Sequence, residues 1–219
     1  MREHRGQLGV MIRMTLWLAL CSLLSTGVAH ASDERPVIFA FGDSLTAGYN
    51  LPEGLGYAPQ LEDALRREGI AATVIDGGLN GDTTSAGRER LTYVLDGMDE
   101  MPGLVLLELG GNDVLRAIDP AITRANLAAM IEELQRRNLD VLLIGMRAPQ
   151  NYDPDYVKAF DAIYPALAAR YGIPLYPFFL EGLIGVEGTV MPDGIHPTYK
   201  GIKIMVSGTK SAVIDALRD

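Results

Sequence analysis

The runs "LVLLEL" (104–109) and "VLLIGM" (141–146) are almost unbroken by polar residues, and "VIFAF" (37–41) is a third of the same kind. A strand with one wet face alternates apolar and polar residues. A strand covered on both faces does not, so these runs point to parallel strands sandwiched between helices. The intervening segments suit the helices. "YAPQLEDALRREG" (57–69) sets Leu61 and Leu65 on one face and stops at Gly69. "AITRANLAAMIEELQRR" (121–137) aligns Leu127, Met130, Ile131 and Leu134. Val157, Phe160, Tyr164 and Leu167 make a further stripe, with Pro165 expected to kink it. "ATVID" (72–76) and "IPLYPF" (173–178) supply two more strands, and 198–217 reads as the last helix. This alternation predicts an α/β domain with three αβα layers, right-handed crossovers and a central, mainly parallel five-stranded sheet. Sites in such sheets lie beyond the carboxyl ends of the strands. The loops after residues 41, 76, 109 and 146 should therefore face one crevice.

The N-terminus has a different character. Arg2, Arg5 and Arg13 precede the apolar run Leu16 to Leu24, followed by "GVAHAS". Basic flank, short apolar core and small-residue site read as a secretory signal peptide over 1–31, cleaved near Ala31, leaving one domain over 32–219. The run is shorter than the roughly 20 residues of a membrane span, so no stable membrane anchor is expected. Met11 and Met14 are alternative starts, and Leu20 stands before Cys21 where a lipoprotein site wants a small residue. An exported protein, periplasmic or secreted, follows. The leader holds three arginines and one glutamate, so its loss takes the formal net charge from −9 to −11. It also holds the only cysteine, the only tryptophan and two of three histidines, leaving His196 alone. Disulfides and a thiol nucleophile are thereby excluded, and a Cys/His zinc site lacks ligands. The acidity argues against nucleic-acid partners, whose binding rests on Lys and Arg.

Four short motifs sit where chemistry is expected. The first strand runs into "GDSLTAG", with Gly42 allowing a sharp turn and Ser44 at a helix N-terminus. Ser44 is then either a helix cap or a nucleophile, and Asp43 reads as a local turn or cap residue. The second strand runs into "GGLNGDTTSAG". Gly81 is followed by Asp82, so this is not a phosphate loop, and G-x-G-x-x-G is absent. It is either a plain turn before a helix starting near Thr83, or a backbone N–H at Gly81 aimed at developing negative charge. The third strand runs into "GGNDVLR", where Asn112 offers a side-chain amide and Asp113 reads as an Asx turn. Glu108, inside the strand, reads as a hydrogen-bonded structural group. The fourth motif, "MPDGIHPTYKG", places Asp193 three residues before His196, with Pro197 holding His196 extended. The carboxylate can fix the imidazole tautomer. Each signal alone is weak. Together they supply nucleophile, base, orienting acid and oxyanion donors.

With these blocks in this order, the sequence resembles the SGNH, or GDSL, hydrolase family over 36 to about 201, nearest its secreted bacterial esterase, acyl-thioesterase and lysophospholipase branch. "AFDAIYPALAARYGIPLYPFF" is also similar to that branch. The resemblance implies a flavodoxin-like sheet, with Ser44 as nucleophile, His196 as base and Asp193 as its partner. It implies oxyanion donors from Ser44, Gly81 and Asn112, no cofactor, and small-molecule esters, some lipid-derived, as substrates. Pocket walls are expected from 114–120 and 147–156, with Leu115, Ile118, Met146 and Tyr152 either lining an acyl or aryl site or serving as ordinary core packing. The tail "IKIMVSGTKSAV" departs from the family pattern and leaves the packing of the last helix open. A carbohydrate O-acetyl esterase and a non-catalytic exported binding module are the competing readings. The first expects crevice aromatics where this chain has no tryptophan, and the second expects a missing catalytic position.

Overall fold

The computed structural model describes residues 35–218, so the expected leader and Cys21 lie outside the described residues. The three apolar runs become the middle of the sheet. Strands β1 (Val37–Gly42), β2 (Thr73–Gly78), β3 (Leu104–Glu108), β4 (Asp140–Ile144) and β5 (Leu175–Tyr176) stand in the order β2-β1-β3-β4-β5. Every neighbouring pair is parallel, so the sheet is wholly parallel and its order is the flavodoxin-like one. All residues of β1 and β3 are buried, which is what their uninterrupted apolar composition requires.

Chain direction across the sheet reverses once, after β2. Right-handed crossovers then put helices on both faces. Helix α2 (Tyr57–Arg67) packs against α8 (Tyr199–Ala216) on one face, and α3 (Thr84–Asp96) against α5 (Pro120–Arg136) on the other. α2 buries Leu61 and Leu65, and α5 buries Leu127, Met130, Ile131 and Leu134, the stripes read from the sequence. Helix α3 starts one residue after its cap, Thr83, whose hydroxyl accepts the Ala86 N–H.

Three expectations change in detail. The stripe from Val157 to Leu167 forms two helices, α6 (Pro154–Asp161) and α7 (Ile163–Tyr171), that meet at Ala162. Pro165 has no N–H for the Asp161 carbonyl and its ring crowds that position, so the helix breaks one turn earlier than a kink at Pro165. The fifth strand keeps two residues of the expected six, because Pro174 and Pro177 on its flanks cannot donate to a ladder. The unusual tail is a regular helix whose small residues are its contact points. Side chains at Gly201 or Gly208 would collide with the Thr189 carbonyl or the Tyr176 hydroxyl. Thr209 bonds Tyr57 of α2 across the buried seam at 2.7 Å.

Candidate active site

The strand order reverses between β1 and β3, and the crevice opens at their carboxyl ends. β1 ends at Gly42, where any side chain would strike Thr46 and Glu108, so the chain turns directly into the short helix α1 (Ser44–Ala47). Asp43 takes the cap: its Oδ1 accepts the Leu45 N–H at 2.9 Å. Ser44 is therefore the first residue of the helix and not its cap, with its hydroxyl free for other use.

That hydroxyl lies 2.9 Å from Nε2 of His196, and Nδ1 of the same ring lies 2.7 Å from Oδ2 of Asp193. A carboxylate can only accept, so Nδ1 carries the proton and Nε2 of the neutral ring is left as an acceptor facing the serine. The loop that brings the imidazole here is built locally. Asp193 Oδ1 accepts the N–H of Ile195 at 2.9 Å and of His196 at 3.0 Å, and Gly194 turns between them at φ 75°. Val190 bridges Pro197 to close the loop's base, and the Tyr49 ring packs on the imidazole at 4.3 Å. The Ile195 N–H, the imidazole and the His196 N–H together hold the Asp193 carboxyl down at about 2. It is thus ionised through the neutral and mildly acid range.

Asn112 stands on a second short helix, α4 (Gly111–Leu115), directly after β3. Its amide donates to Oδ2 of Asp43 at 3.1 Å, so Asp43 ties the serine helix to the asparagine 69 positions away. Behind it, Glu108 Oε2 accepts from Thr46 Oγ1 at 2.8 Å and the Asp43 N–H at 3.3 Å, while Oε1 is buried with no partner. Burial pushes the Asp43 carboxyl up to about 6, against the lowering by the Leu45 N–H and the Asn112 amide. Burial first, then the nearby Asp43, lifts Glu108 well above the usual carboxylate range. Two carboxyls this close and this dry cannot both ionise cheaply. A neutral Glu108 also makes its lone oxygen less costly than a buried charge would be.

Gly81 is tied in differently. At φ 83° it occupies the left-handed region, and its carbonyl accepts from Arg116 at the end of α4 at 2.9 Å. Its N–H meets no acceptor among the described residues. The loop is pinned by Arg90, which pairs with Asp82 at 2.6 Å, donates to the carbonyls of Gly42 and Gly77, and stacks over Phe41. Direct hydrogen bonds thus join Ser44, His196 and Asp193, while Asn112 joins them through Asp43. Gly81 makes no direct bond to the other four.

The cleft in front of Ser44 and His196 has a volume of about 810 Å³. Leu115 and Met146 line it as expected, but Ile118 and Tyr152 do not. The Ile118 carbonyl instead accepts from Tyr156, and Tyr152 packs on the Tyr156 ring. Phe178, Leu180, Ile184 and Ile195 supply walls that the sequence reading did not include. Asp113 also departs from expectation. In place of an Asx turn it is a buried anchor, accepting from the Thr84 N–H and hydroxyl and from Thr123. Among the described residues no group of three or more His, Cys, Asp or Glu is placed to hold a metal ion.

Residues 40–204 match the GDSL-like Lipase/Acylhydrolase family. The chain belongs to that family. Esterase TesA of Pseudomonas aeruginosa is 41% identical over 180 residues, covering 82% of this chain and 89% of that protein. Thioesterase 1/protease 1/lysophospholipase L1 of Escherichia coli is 36% identical over 175 residues, covering 80% of each. Among solved structures, the SGNH-hydrolase family esterase AlinE4 is 49% identical with a TM-score of 0.72, over 84% of this chain and 97% of that one. As a member of the GDSL family, with esterases as close relatives and the same fold, the chain is a serine hydrolase of carboxylic esters.

Proposed function

We propose that Ser44 attacks the ester carbonyl, with His196 as general base and Asp193 as its orienting partner. The observation that carries this reading is the hydrogen-bonded series Ser44–His196–Asp193, at 2.9 and 2.7 Å, opening on an apolar cleft. The serine proton passes to Nε2 as Oγ bonds the carbonyl carbon, and the Asp193 carboxylate stabilises the imidazolium. The N–H groups of Ser44 and Gly81 and the amide of Asn112 meet the tetrahedral oxyanion. Nε2 then returns the proton to the leaving alcohol, and water repeats the sequence on the acyl-enzyme.

The apolar walls favour acyl or aryl esters, lysophospholipids and thioesters among them, over acetylated sugars. A formal charge of −9, or −11 without the leader, disfavours polyanionic coenzyme A thioesters. The proposed site of action is outside the cytoplasm, following the leader. Incubation with a p-nitrophenyl phosphonate tests the assignment. Stoichiometric mass gain located at Ser44, absent in Ser44→Ala, is the expected result. Labelling elsewhere, or none in an enzyme that still hydrolyses esters, overturns it.

A further inference from the structure

We propose that Arg147, at the cleft mouth, reads an anionic group and favours acyl esters whose alcohol portion carries a phosphate. The inference rests on the esterase reading above and adds a selecting residue to it.

Arg147 follows β4 by three residues and is the one lysine or arginine among the residues lining the cleft. The two carboxyls that share the lining are engaged in the fold. Asp43 caps α1 and holds Asn112, and Asp161 accepts the Ala148 N–H at 2.8 Å. In a chain with a formal charge of −9, a cation facing an apolar cleft needs a reason. Some of its other arginines are committed to the fold. Arg90, Arg116 and Arg137 each donate short hydrogen bonds to carboxylates or carbonyls. Arg147 donates none among the described residues.

Its ionic neighbour is Glu181, at 4.0 Å, with the two side chains 52% and 65% exposed. An exposed pair at that distance is worth about 0–1 kcal/mol at most, so an arriving anion displaces it easily. The Phe178 ring centroid lies 5.2 Å from the guanidinium carbon, an apolar neighbour that takes none of its N–H donors. A planar guanidinium with unused N–H donors matches two phosphate oxygens at once. Leu115, Met146 and Leu180 meanwhile offer apolar surface to the acyl chain. An acyl ester with a phosphate on its glycerol satisfies both halves of this surface, and a neutral monoacylglycerol satisfies one.

The test compares a short-chain lysophosphatidylglycerol with the monoacylglycerol of the same acyl chain, both below their micellar concentrations. The proteins are wild type, Arg147→Gln, Arg147→Lys and Glu181→Gln. Arg147→Gln should raise KM for the phosphate-bearing ester about tenfold, the loss expected of one charge-assisted contact, with kcat little changed. The KM for monoacylglycerol should move less than about twofold. Arg147→Lys should recover part of the loss, and Glu181→Gln, which frees the guanidinium, should lower KM for the phosphate-bearing ester alone. Equal weakening toward both substrates, or no change toward either, overturns the proposal while leaving the esterase reading intact. A wild type that hydrolyses neither ester and takes no phosphonate overturns both.

Discussion

Replacing Asp193 by asparagine and by alanine should separate its two tasks. Oδ1 accepts two backbone N–H groups and Oδ2 accepts the imidazole. In Asp193→Asn the amide must choose. With its oxygen toward the backbone, its NH₂ faces Nδ1, which then has to be the unprotonated nitrogen. The ring proton moves to Nε2 and points at Ser44, the wrong tautomer for a base. Reversing the amide sets its NH₂ against two N–H donors and loses both bonds, about 1 kcal/mol each. A penalty of about 2 kcal/mol leaves roughly one molecule in thirty correctly arranged. Loss of the charge that stabilises the imidazolium adds to this, for an overall fall in kcat/KM of about 10²–10³. Asp193→Ala imposes no tautomer, and because the Asp193 side chain is 37% exposed, water can reach Nδ1. Its kcat/KM should fall less, about 10–10², while the turn loses both acceptors and about 2 kcal/mol of stability. The assay is p-nitrophenyl ester hydrolysis beside urea unfolding of each variant. If Asp193→Asn is as active as wild type, or more active than Asp193→Ala, the tautomer argument is wrong.

Asn112→Ala should cut turnover about 10²–10³-fold and leave the circular dichroism spectrum unchanged, and wild-type rates on a series of p-nitrophenyl esters would remove Asn112 from the oxyanion site. Asp43 titrates at 3.8 when exposed and at about 6 when folded, so between these values the folded chain keeps a proton that the unfolded chain has released. Stability therefore falls as pH rises through that window and levels off above it, and the raised Glu108 acts with the same sign. Asp43→Asn should remove its share of that slope in urea midpoints between pH 4 and 7, leaving a flatter dependence from Glu108, and it should lower kcat because its amide competes with that of Asn112. Thr209 donates to the Met205 carbonyl, so Tyr57 must be the donor to Thr209. Thr209→Val leaves that hydroxyl buried without an acceptor and should cost about 1–3 kcal/mol in urea unfolding, whereas a change under about 0.5 kcal/mol would show that the bond matters little.

The sheet was readable because burial on both faces writes itself into composition, as in Val105, Leu106 and Leu107. The helices were readable through stripes such as Leu127, Met130, Ile131 and Leu134. Their exact breaks were not, because the choice between a kink at Pro165 and a division at Ala162 depends on what packs around it. In the candidate site, Ser44, Asn112, Asp193 and His196 each stood in a short block after a strand or between prolines. Asp43 was read too locally. Its cap lies two residues away and is visible in sequence, but its bond to Asn112 spans 69 positions and exists only once β1 and β3 are neighbours. Arg90 left a trace in lying eight residues after Asp82, though nothing in the sequence pairs it with the carbonyls of Gly42 and Gly77. The cleft walls were the least legible part. Leu180 and Ile184 come from a loop without a regular period, and Ile118 and Tyr152 are of the same apolar kind yet turn away.

The serine hydroxyl and the imidazole belong to opposite ends of the fold, 152 positions apart, and the loop that carries the imidazole comes after every strand of the sheet. A chain still being synthesised presents Ser44 long before His196 has emerged. On the roles proposed for Ser44 and His196, esterase activity has to wait until this last loop has folded against the end of β1.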